Sequence, residues 1–327
     1  MLNALRAACG AHSLRIVPNI AVSVQAEPAD LPSWLDLARR LERGGFRALL
    51  MADHPGSGAS PWAALGSAAA VTQTLQLGTY VIQAGVREPV HVAADAATLD
   101  ILAPGRVLLG IGAGHTPREW ADIGRSRPGP RDRAARLAEF AEVVAALLQG
   151  QTVTWEGGHL TLHESRLDGL PAGGRVRLCV GGGHPLVLRA AARHADVVGL
   201  SGLGRTLPDG HYHEVRWSRS ELDRQLQLVR DEARQAERRP LIEVLVQSVT
   251  CTDDRAAAIE EIRARIPGVT AEDADRTPFV LIGSHEQMAA QLLRQAEELG
   301  ITSYVVREQA VADLEHVLPL TKQAERR

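Results

Sequence analysis

The sequence RVLLGIGAGH at residues 106–115 combines a short apolar run with a series of glycines. An apolar run of this length followed by glycine is typical of a buried strand in a parallel sheet. The glycines superficially resemble a dinucleotide-binding fingerprint, but Pro117 and the missing βαβ context with an acidic residue argue against a Rossmann fold. The number of similar runs in the rest of the chain decides between a barrel and an open sheet.

Eight such runs alternate with helical patterns along the chain. They are residues 14–24, 46–51, 75–81, 106–111, 176–180, 196–200, 241–249 and 302–306. Eight parallel strands joined by helices form a closed (β/α)8 barrel, whereas doubly wound sheets usually have five to seven strands. The sequence therefore predicts a TIM barrel with insertions, residues 1–13 being an N-terminal extension and residues 14–327 a single domain.

Helix boundary signals agree with this division. Ser60-Pro61 predicts an N-cap followed by a helical proline, and Gly44-Gly45 ends the preceding helix. Ser284 and Gln287 have the spacing of a capping box. Two segments do not fit the repeat: residues 152–162 predict an inserted β-hairpin, and residues 202–219 predict a long loop.

Composition excludes several classes of function. The net charge of −3 comes from interspersed acids and bases, which offer no face for nucleic acid or an anionic membrane, so we expect a small-molecule partner. No apolar run is long enough for a signal peptide or a membrane span. The three cysteines (Cys9, Cys179 and Cys251) lack the spacing of a disulfide framework or zinc site. We expect a cytoplasmic protein without a metal.

Candidate site residues follow the strands, because the active site of a TIM barrel lies at the carboxyl ends of its strands. Asp53 and His54 follow the second run, where a titratable imidazole beside an acid suits proton transfer, although a structural histidine in a loop is the alternative. Glycines after the fourth and fifth runs allow close approach of a ligand, and the triple glycine at 181–183 precedes a helix whose N terminus suits an anion. A tight turn explains the triple glycine equally well.

These pieces together resemble the luciferase-like monooxygenase superfamily, specifically its compact deazaflavin-dependent oxidoreductases. The resemblance extends from about residue 14 to residue 306. Its motifs are Gly45-Phe46 through Asp53-His54, Leu77-Gly78-Thr79 with Arg87-Glu88-Pro89, Ala97-Thr98-Leu99-Asp100 with Pro104-Gly105-Arg106, Leu109 through Gly114, Gly181-Gly182-Gly183, His194-Ala195-Asp196 and Leu281-Ile282-Gly283-Ser284.

The resemblance implies a cofactor, coenzyme F420, and a role for each motif. The ring would rest on a non-proline cis peptide at Tyr80–Val81. The other cofactor-binding residues implied are Gly112, Ala113, Gly114, His115, Cys179, Val180, Gly181, Gly182 and Gly183. His54 would move the proton with support from Asp53. Trp62 and Tyr80 are candidate walls of the substrate pocket, with helix packing as the alternative for Trp62.

One position departs from the family pattern. The sugar-phosphate dehydrogenases of the family carry a glutamate where this chain has His115, which disfavours a second proton-transfer group there and a sugar-phosphate substrate. The resemblance also implies a homodimer.

The predicted function is hydride transfer between F420 and a small organic substrate, by C=C or C=N reduction or by alcohol oxidation. An FMN-dependent monooxygenase on the same barrel and a non-catalytic binding or partner protein remain alternatives, and a barrel isomerase or aldolase is possible on fold alone. His211 and His213 could ligate a metal, but with no third ligand nearby we favour a loop without one.

Overall fold

The computed structural model describes residues 19–170, 175–207, 213–266 and 268–324, and a closed barrel of eight parallel strands forms its centre. In their order around the barrel, these strands are β1 (Ala21–Gln25), β14 (Ser303–Arg307), β11 (Leu241–Leu245), β8 (Val197–Leu200), β7 (Arg177–Gly181), β4 (Val107–Gly112), β3 (Gln76–Gln83) and β2 (Ala48–Met51). All eight predicted runs supply a barrel strand, which confirms the (β/α)8 fold. Pairing of β1 with β14 closes the barrel.

Helices cover the outside of the barrel. They are α1 (Leu31–Arg43), α2 (Pro61–Ala69), α3 (Pro89–Leu102), α4 (Pro117–Asp122), α5 (Pro130–Leu148), α6 (Pro185–His194), α7 (Arg219–Gln235), α8 (Arg255–Arg265), α9 (Ala271–Arg276), α10 (His285–Leu299) and α11 (Val311–Ala324), with a single 3-10 turn at Glu308–Ala310. Within the described ranges, none of them combines the length and apolarity that a membrane crossing needs.

Helix ends follow the predicted signals. Ser284 and Gln287 form a reciprocal capping box that starts α10, and Gly300 ends it in the left-handed conformation at φ 71°. Gly44 and Gly45 follow α1, and α2 starts at Pro61 after Ser60 as predicted. The Ser60 side chain, however, makes no capping hydrogen bond.

The first predicted insertion is confirmed and the second prediction is wrong. Strands β5 (Val153–Glu156) and β6 (Thr161–Ser165) form the expected antiparallel hairpin. Residues 202–219 are not simply a loop, because β9 (Leu203–Thr206) pairs with β10 (His213–Val215) in a second hairpin. Cross-strand hydrogen bonding overrides the glycine- and arginine-rich composition that indicated a loop. His211 and the predicted extension at residues 1–13 lie outside the described residues.

The seventh run divides into two strands. β11 stays in the barrel, whereas β12 (Ser248–Cys251) pairs with β13 (Val280–Gly283) in a separate parallel sheet. The change of partner occurs at Val246 and Gln247, whose N–H groups donate to Val305 and Phe279 respectively. One continuous apolar run therefore belongs to two sheets.

The core has two layers. Apolar side chains between strands and helices form the larger layer, and a smaller cluster fills the barrel interior. The interior cluster consists of Ala48, Leu50, Tyr80, Leu108, Cys179, Val197, Leu245 and Val305. A chain of polar side chains lies beside this interior cluster. Arg47 donates to Ser303 at 2.8 Å, and Ser303 donates to Glu243 at 2.7 Å. This packing fixes the strand ends that carry the candidate site.

Candidate active site at the carboxyl ends of the strands

His54 follows β2 and forms a close pair with a glutamate. Its Nδ1 lies 2.8 Å from Oε1 of Glu119, whose side chain is only 2% exposed. The hydrogen bond to Glu119 raises the pKa of His54 above its ordinary value, although desolvation opposes this effect. Since Glu119 occupies Nδ1, Nε2 is the ring nitrogen available for a further hydrogen bond.

Glu119 was not predicted from the sequence. It lies in the short helix α4, and the spacing of Thr116 and Glu119 matches a capping box that would give the glutamate a structural role. The Thr116 side chain makes no such bond, and Glu119 instead accepts from Gln83 Nε2 at 3.0 Å through its second oxygen. The sequence Thr116-Pro117-Arg118-Glu119 follows the glycine-rich end of a strand. This position of a glutamate, near the predicted site, is the signal that could have identified it.

Asp53 has a different partner from the one predicted. Its carboxylate accepts two hydrogen bonds from the Arg87 guanidinium, at 2.8 and 3.1 Å, and a third from the Gln83 N–H at 3.2 Å. The carboxylate is almost fully buried. Asp53 therefore orders the end of β3, whereas Glu119 takes the hydrogen-bonding position beside His54; Asp53 adds only a smaller electrostatic contribution to the raised His54 pKa.

The predicted non-proline cis peptide is present between Tyr80 and Val81. Gln25 Nε2 at the end of β1 donates to the Tyr80 carbonyl and so connects this bulge to a strand that is not paired with β3. Tyr80 itself points inward and is 6% exposed, while Val81 is partly exposed.

The glycines after β4 accommodate side chains of β3. A Cβ on Gly112 would lie 2.4 Å from Val81 Cγ2, and one on Gly114 would lie 2.2 Å from Gln83 Oε1. Neither glycine is therefore explained by ligand approach alone, because the bulge already needs the space. Ala113 lies between them and packs against the core.

The last apolar residues of β7 are buried, and the glycines that end the strand and follow it are accessible. Cys179 and Val180 are fully buried, and burial raises the pKa of the Cys179 thiol. Gly181, Gly182 and Gly183 are partly exposed and lead to α6, whose N-cap residue His184 accepts from the Leu186 N–H at 3.2 Å. A helix N terminus preceded by glycines offers backbone donors to an anion.

Three histidines meet beside the strand ends. His115 lies with its ring centre 5.9 Å from that of His54 and 4.9 Å from that of His213 on the second hairpin. Desolvation, followed by repulsion from His213 and His54, lowers the pKa of His115 to about 4. His115 is therefore neutral at pH 7. The expectation that His211 and His213 bind no metal stays untested, since His211 lies outside the described residues.

Two arginines near the histidines carry unpartnered donors. The Nε atoms of Arg127 and Arg133 are buried without a hydrogen-bond partner. Desolvation and the nearby Arg127 lower the pKa of Arg133 to about 10. Arg127 also donates to Thr206 on the second hairpin at 3.3 Å, and Arg133 lies 6.0 Å from the centre of the Trp120 ring. Partly buried guanidinium groups with an unpartnered Nε are suited to an anionic ligand.

Trp62 shows the packing that was the alternative to its predicted role. It is partly buried on α2 and packs against the large core. Its place in the substrate pocket stays a prediction.

Comparison with known proteins agrees with this arrangement. A family model described as luciferase-like monooxygenase matches residues 15–303. The chain belongs to the luciferase-like monooxygenase family. The family resemblance inferred from the motifs is thereby confirmed.

Curated relatives match only part of this luciferase-like chain. An F420-dependent glucose-6-phosphate dehydrogenase of Beutenbergia cavernae is 35% identical over 198 residues, which cover 57% of each protein. The matched region thus spans little more than half the length of that relative.

Solved structures match over nearly the whole length. An F420-dependent secondary alcohol dehydrogenase in complex with an F420-acetone adduct has a TM-score of 0.72 at 20% identity, covering 93% of this chain and 99% of the other. A long-chain alkane monooxygenase has the same TM-score at 17% identity, covering 94% and 92%. At such identities, the similarity establishes the luciferase-like fold alone.

Proposed function

We propose that this chain is an F420-dependent oxidoreductase in which His54 exchanges a proton with a small organic substrate. The observation that carries the proposal is the His54–Glu119 pair, placed at the carboxyl ends of the strands beside the cis Tyr80–Val81 bond. The names of the curated relatives, several of which are F420-dependent dehydrogenases, support the same chemistry.

The residues of the site fit the cofactor. A phosphate-bearing, acidic molecule is bound by cationic side chains and by backbone N–H groups. The unpartnered Nε atoms of Arg127 and Arg133 would be the cationic donors. Gly181, Gly182 and Gly183 with the N terminus of α6 would supply the backbone N–H groups, and Val81, Gly112, Ala113, Gly114 and His115 would line the ring. When bound, the deazaflavin supplies a hydride-carrying ring carbon that does not readily activate oxygen.

The protein's own contribution is proton transfer and orientation. In alcohol oxidation, neutral His54 would accept the hydroxyl proton at Nε2, and Glu119 would stabilise the resulting imidazolium. In reduction of a C=C or C=N bond, protonated His54 would donate that proton instead. Gln83 holds the second oxygen of Glu119, so the carboxylate keeps its orientation in either direction. Because His115 is neutral, His54 is the imidazole of this pair that carries the positive charge when it is protonated.

Cofactor titration tests the proposal. We expect F420 fluorescence to be quenched on binding at micromolar concentration, and FMN to bind far more weakly. Tight binding of FMN alone, with oxygen-dependent turnover, would establish the alternative of a flavin monooxygenase.

A His54→Ala variant separates catalysis from binding. We expect F420 affinity to be retained and turnover to fall by about 10²- to 10⁴-fold, the usual contribution of a positioned acid–base group. Candidate substrates are a secondary alcohol and glucose 6-phosphate, and the departure at His115 favours the former. Unchanged turnover in the variant would remove His54 from the mechanism.

The chain's organisation belongs to the same proposal. We propose one domain over residues 14–327, a homodimer, and a place in the cytoplasm. Two free thiols, Cys179 and Cys251, support a reducing compartment.

A further inference from the structure

A second cluster of chemically reactive side chains joins three elements around β13. Cys251 ends β12 directly opposite Gly283 of β13, and His285 is the first residue of α10 two positions after that glycine. Asp313 comes from the first turn of α11. The capping box of Ser284 and the backbone bond from Thr252 N–H to the Gly283 carbonyl at 3.2 Å fix the first two residues relative to one another. None of the three belongs to the histidine site.

The separations within this cluster match those of metal ligands. The Cys251 Sγ, His285 Nε2 and Asp313 Oδ1 lie 3.5 Å (S to N) and 3.2 Å (N to O) apart, and ligand atoms of all three residues lie within 4.8 Å of one another. Around a tetrahedral Zn²⁺, bond lengths of about 2.3 Å to sulfur and about 2.05 Å to nitrogen and oxygen place S and N about 3.6 Å apart and N and O about 3.3 Å apart. The S–N and N–O distances already match this spacing, and the S–O distance lies within 4.8 Å.

The geometry does not suit a Cys-His-Asp nucleophile. In such a triad the imidazole contacts the thiol through one nitrogen and the carboxylate through the other. Here both Cys251 and Asp313 approach Nε2 of His285. Convergence of a sulfur and an oxygen on one nitrogen brings three potential metal ligands together.

The charge around the cluster favours a cation. The N termini of α10 and α11 meet here, and their partial positive charge by itself would disfavour a bound metal. The carboxylates of Asp253, Glu286 and Asp313 all act on Cys251 and compensate for that charge. The His316 ring stacks on His285 at 4.9 Å with planes 24° apart, which restrains the ligand ring. The thiolate excludes Mg²⁺ and Ca²⁺, which prefer oxygen ligands.

The geometry points to a zinc site formed by Cys251, His285 and Asp313, with a water in the fourth position, that fastens the first turn of α11 to the β12–β13 sheet. Binding releases the proton of the Cys251 thiol to solvent and leaves the imidazole neutral with Nε2 on the metal. No redox change accompanies binding. Its effect is on the stability of the C-terminal helix rather than on hydride transfer.

Metal titration of the full-length chain, reduced and stripped with a chelator, tests the site. We expect one Zn²⁺ per chain in competition with a chromophoric chelator, and Co²⁺ to give a thiolate charge-transfer band. The variants Cys251→Ser and His285→Ala each lower the zinc affinity by roughly 100-fold or more and abolish the band. Zinc raises the Tm of the wild type by a few degrees and leaves that of Cys251→Ser unchanged.

The matched control is Asp253→Asn, which removes a nearby negative charge but no ligand. We expect its zinc affinity to remain within about threefold of the wild type. Circular dichroism confirms that each variant is folded, and Asp313→Asn gives a second ligand variant if one is not. Equal zinc affinity in the wild type and Cys251→Ser, one zinc shared by two chains, or no binding at micromolar free zinc would each overturn the proposal.

Discussion

At the scale of single residues, the candidate site depends on which carboxylate faces which cation. Asp53 and His54 are adjacent in sequence, yet Asp53 pairs with Arg87 and His54 pairs with Glu119, 65 residues away. Adjacent residues leave a strand end in different directions, so a sequence neighbour is a poor guide to a hydrogen-bond partner. The two pairs are linked through Gln83, which donates its backbone N–H to one carboxylate and its side chain to the other.

Replacement of Glu119 by Gln should lower the pKa of His54. The folded-state pKa is raised chiefly by the hydrogen bond to Glu119, so this bond favours the imidazolium at low pH and its benefit is lost as the pH rises through the folded pKa. Without the carboxylate charge, we expect the midpoint of the His54 titration to move to lower pH. An NMR titration of the His54 ring measures this directly.

Glu27→Gln is the control for that titration. Glu27 also raises the pKa of His54, but only by a weaker electrostatic interaction, so the midpoint should move less. If Glu119→Gln left the midpoint where it is in the wild type, the assigned partner of His54 would be wrong.

At the scale of elements, the barrel strands were predictable and the inserted pieces were only partly so. Each barrel strand is a short apolar run followed by a turn, so the same sequence pattern identifies all of them. The division of residues 241–249 between two sheets was not predictable, because no glycine or proline separates β11 from β12 in the sequence. The hairpin of β9 and β10 was hidden by its composition, and α4 by its length of six residues.

Two glycine substitutions compare a crowded glycine beside the β3 bulge with a helical glycine whose Cβ position is not crowded. Gly112→Ala places a methyl group 2.4 Å from Val81, so the bulge of β3 must shift, and we expect a loss of about 1–3 kcal/mol in the free energy of unfolding. Gly66→Ala lies within α2, where the nearest atom is 3.7 Å away. It should stabilise the chain by about 0.5–1 kcal/mol through helix propensity.

Urea denaturation of both variants measures the difference, and cofactor titration shows whether the Gly112 variant also binds F420 more weakly. Equal stability of the two variants would mean that Val81 accommodates the methyl group without cost.

At the scale of the whole molecule, the barrel interior carries a buried acid. Glu243 is 1% exposed, and desolvation raises its pKa above the ordinary value even though Ser303 donates to it. Its second oxygen has no hydrogen-bond partner. Arg47 and Arg177 oppose the shift electrostatically. Sequence reasoning assigned no role to Glu243, because alternation within a barrel strand does not distinguish an inward from an outward acid.

Glu243→Gln should change how stability depends on pH. Because the folded-state pKa is raised, the folded chain binds this proton more tightly than the unfolded chain does, and stability from this group increases as the pH falls through the folded pKa. The wild type should therefore gain stability relative to the variant between neutral pH and the ordinary pKa of a glutamate. Chemical denaturation of both proteins at several pH values measures the difference, and parallel curves would contradict a raised pKa.

The paired strands β9 and β10 bring side chains to the candidate site from outside the barrel. His213 and Thr206 reach the site from a segment that lies outside the eight-stranded sheet, between β8 and α7. Substitutions in β9 and β10 would therefore change the side chains beside the site without altering the register of the barrel strands. Under the proposed function, a chimera carrying a relative's β9 and β10 should acquire that relative's substrate preference and keep the His54–Glu119 pair.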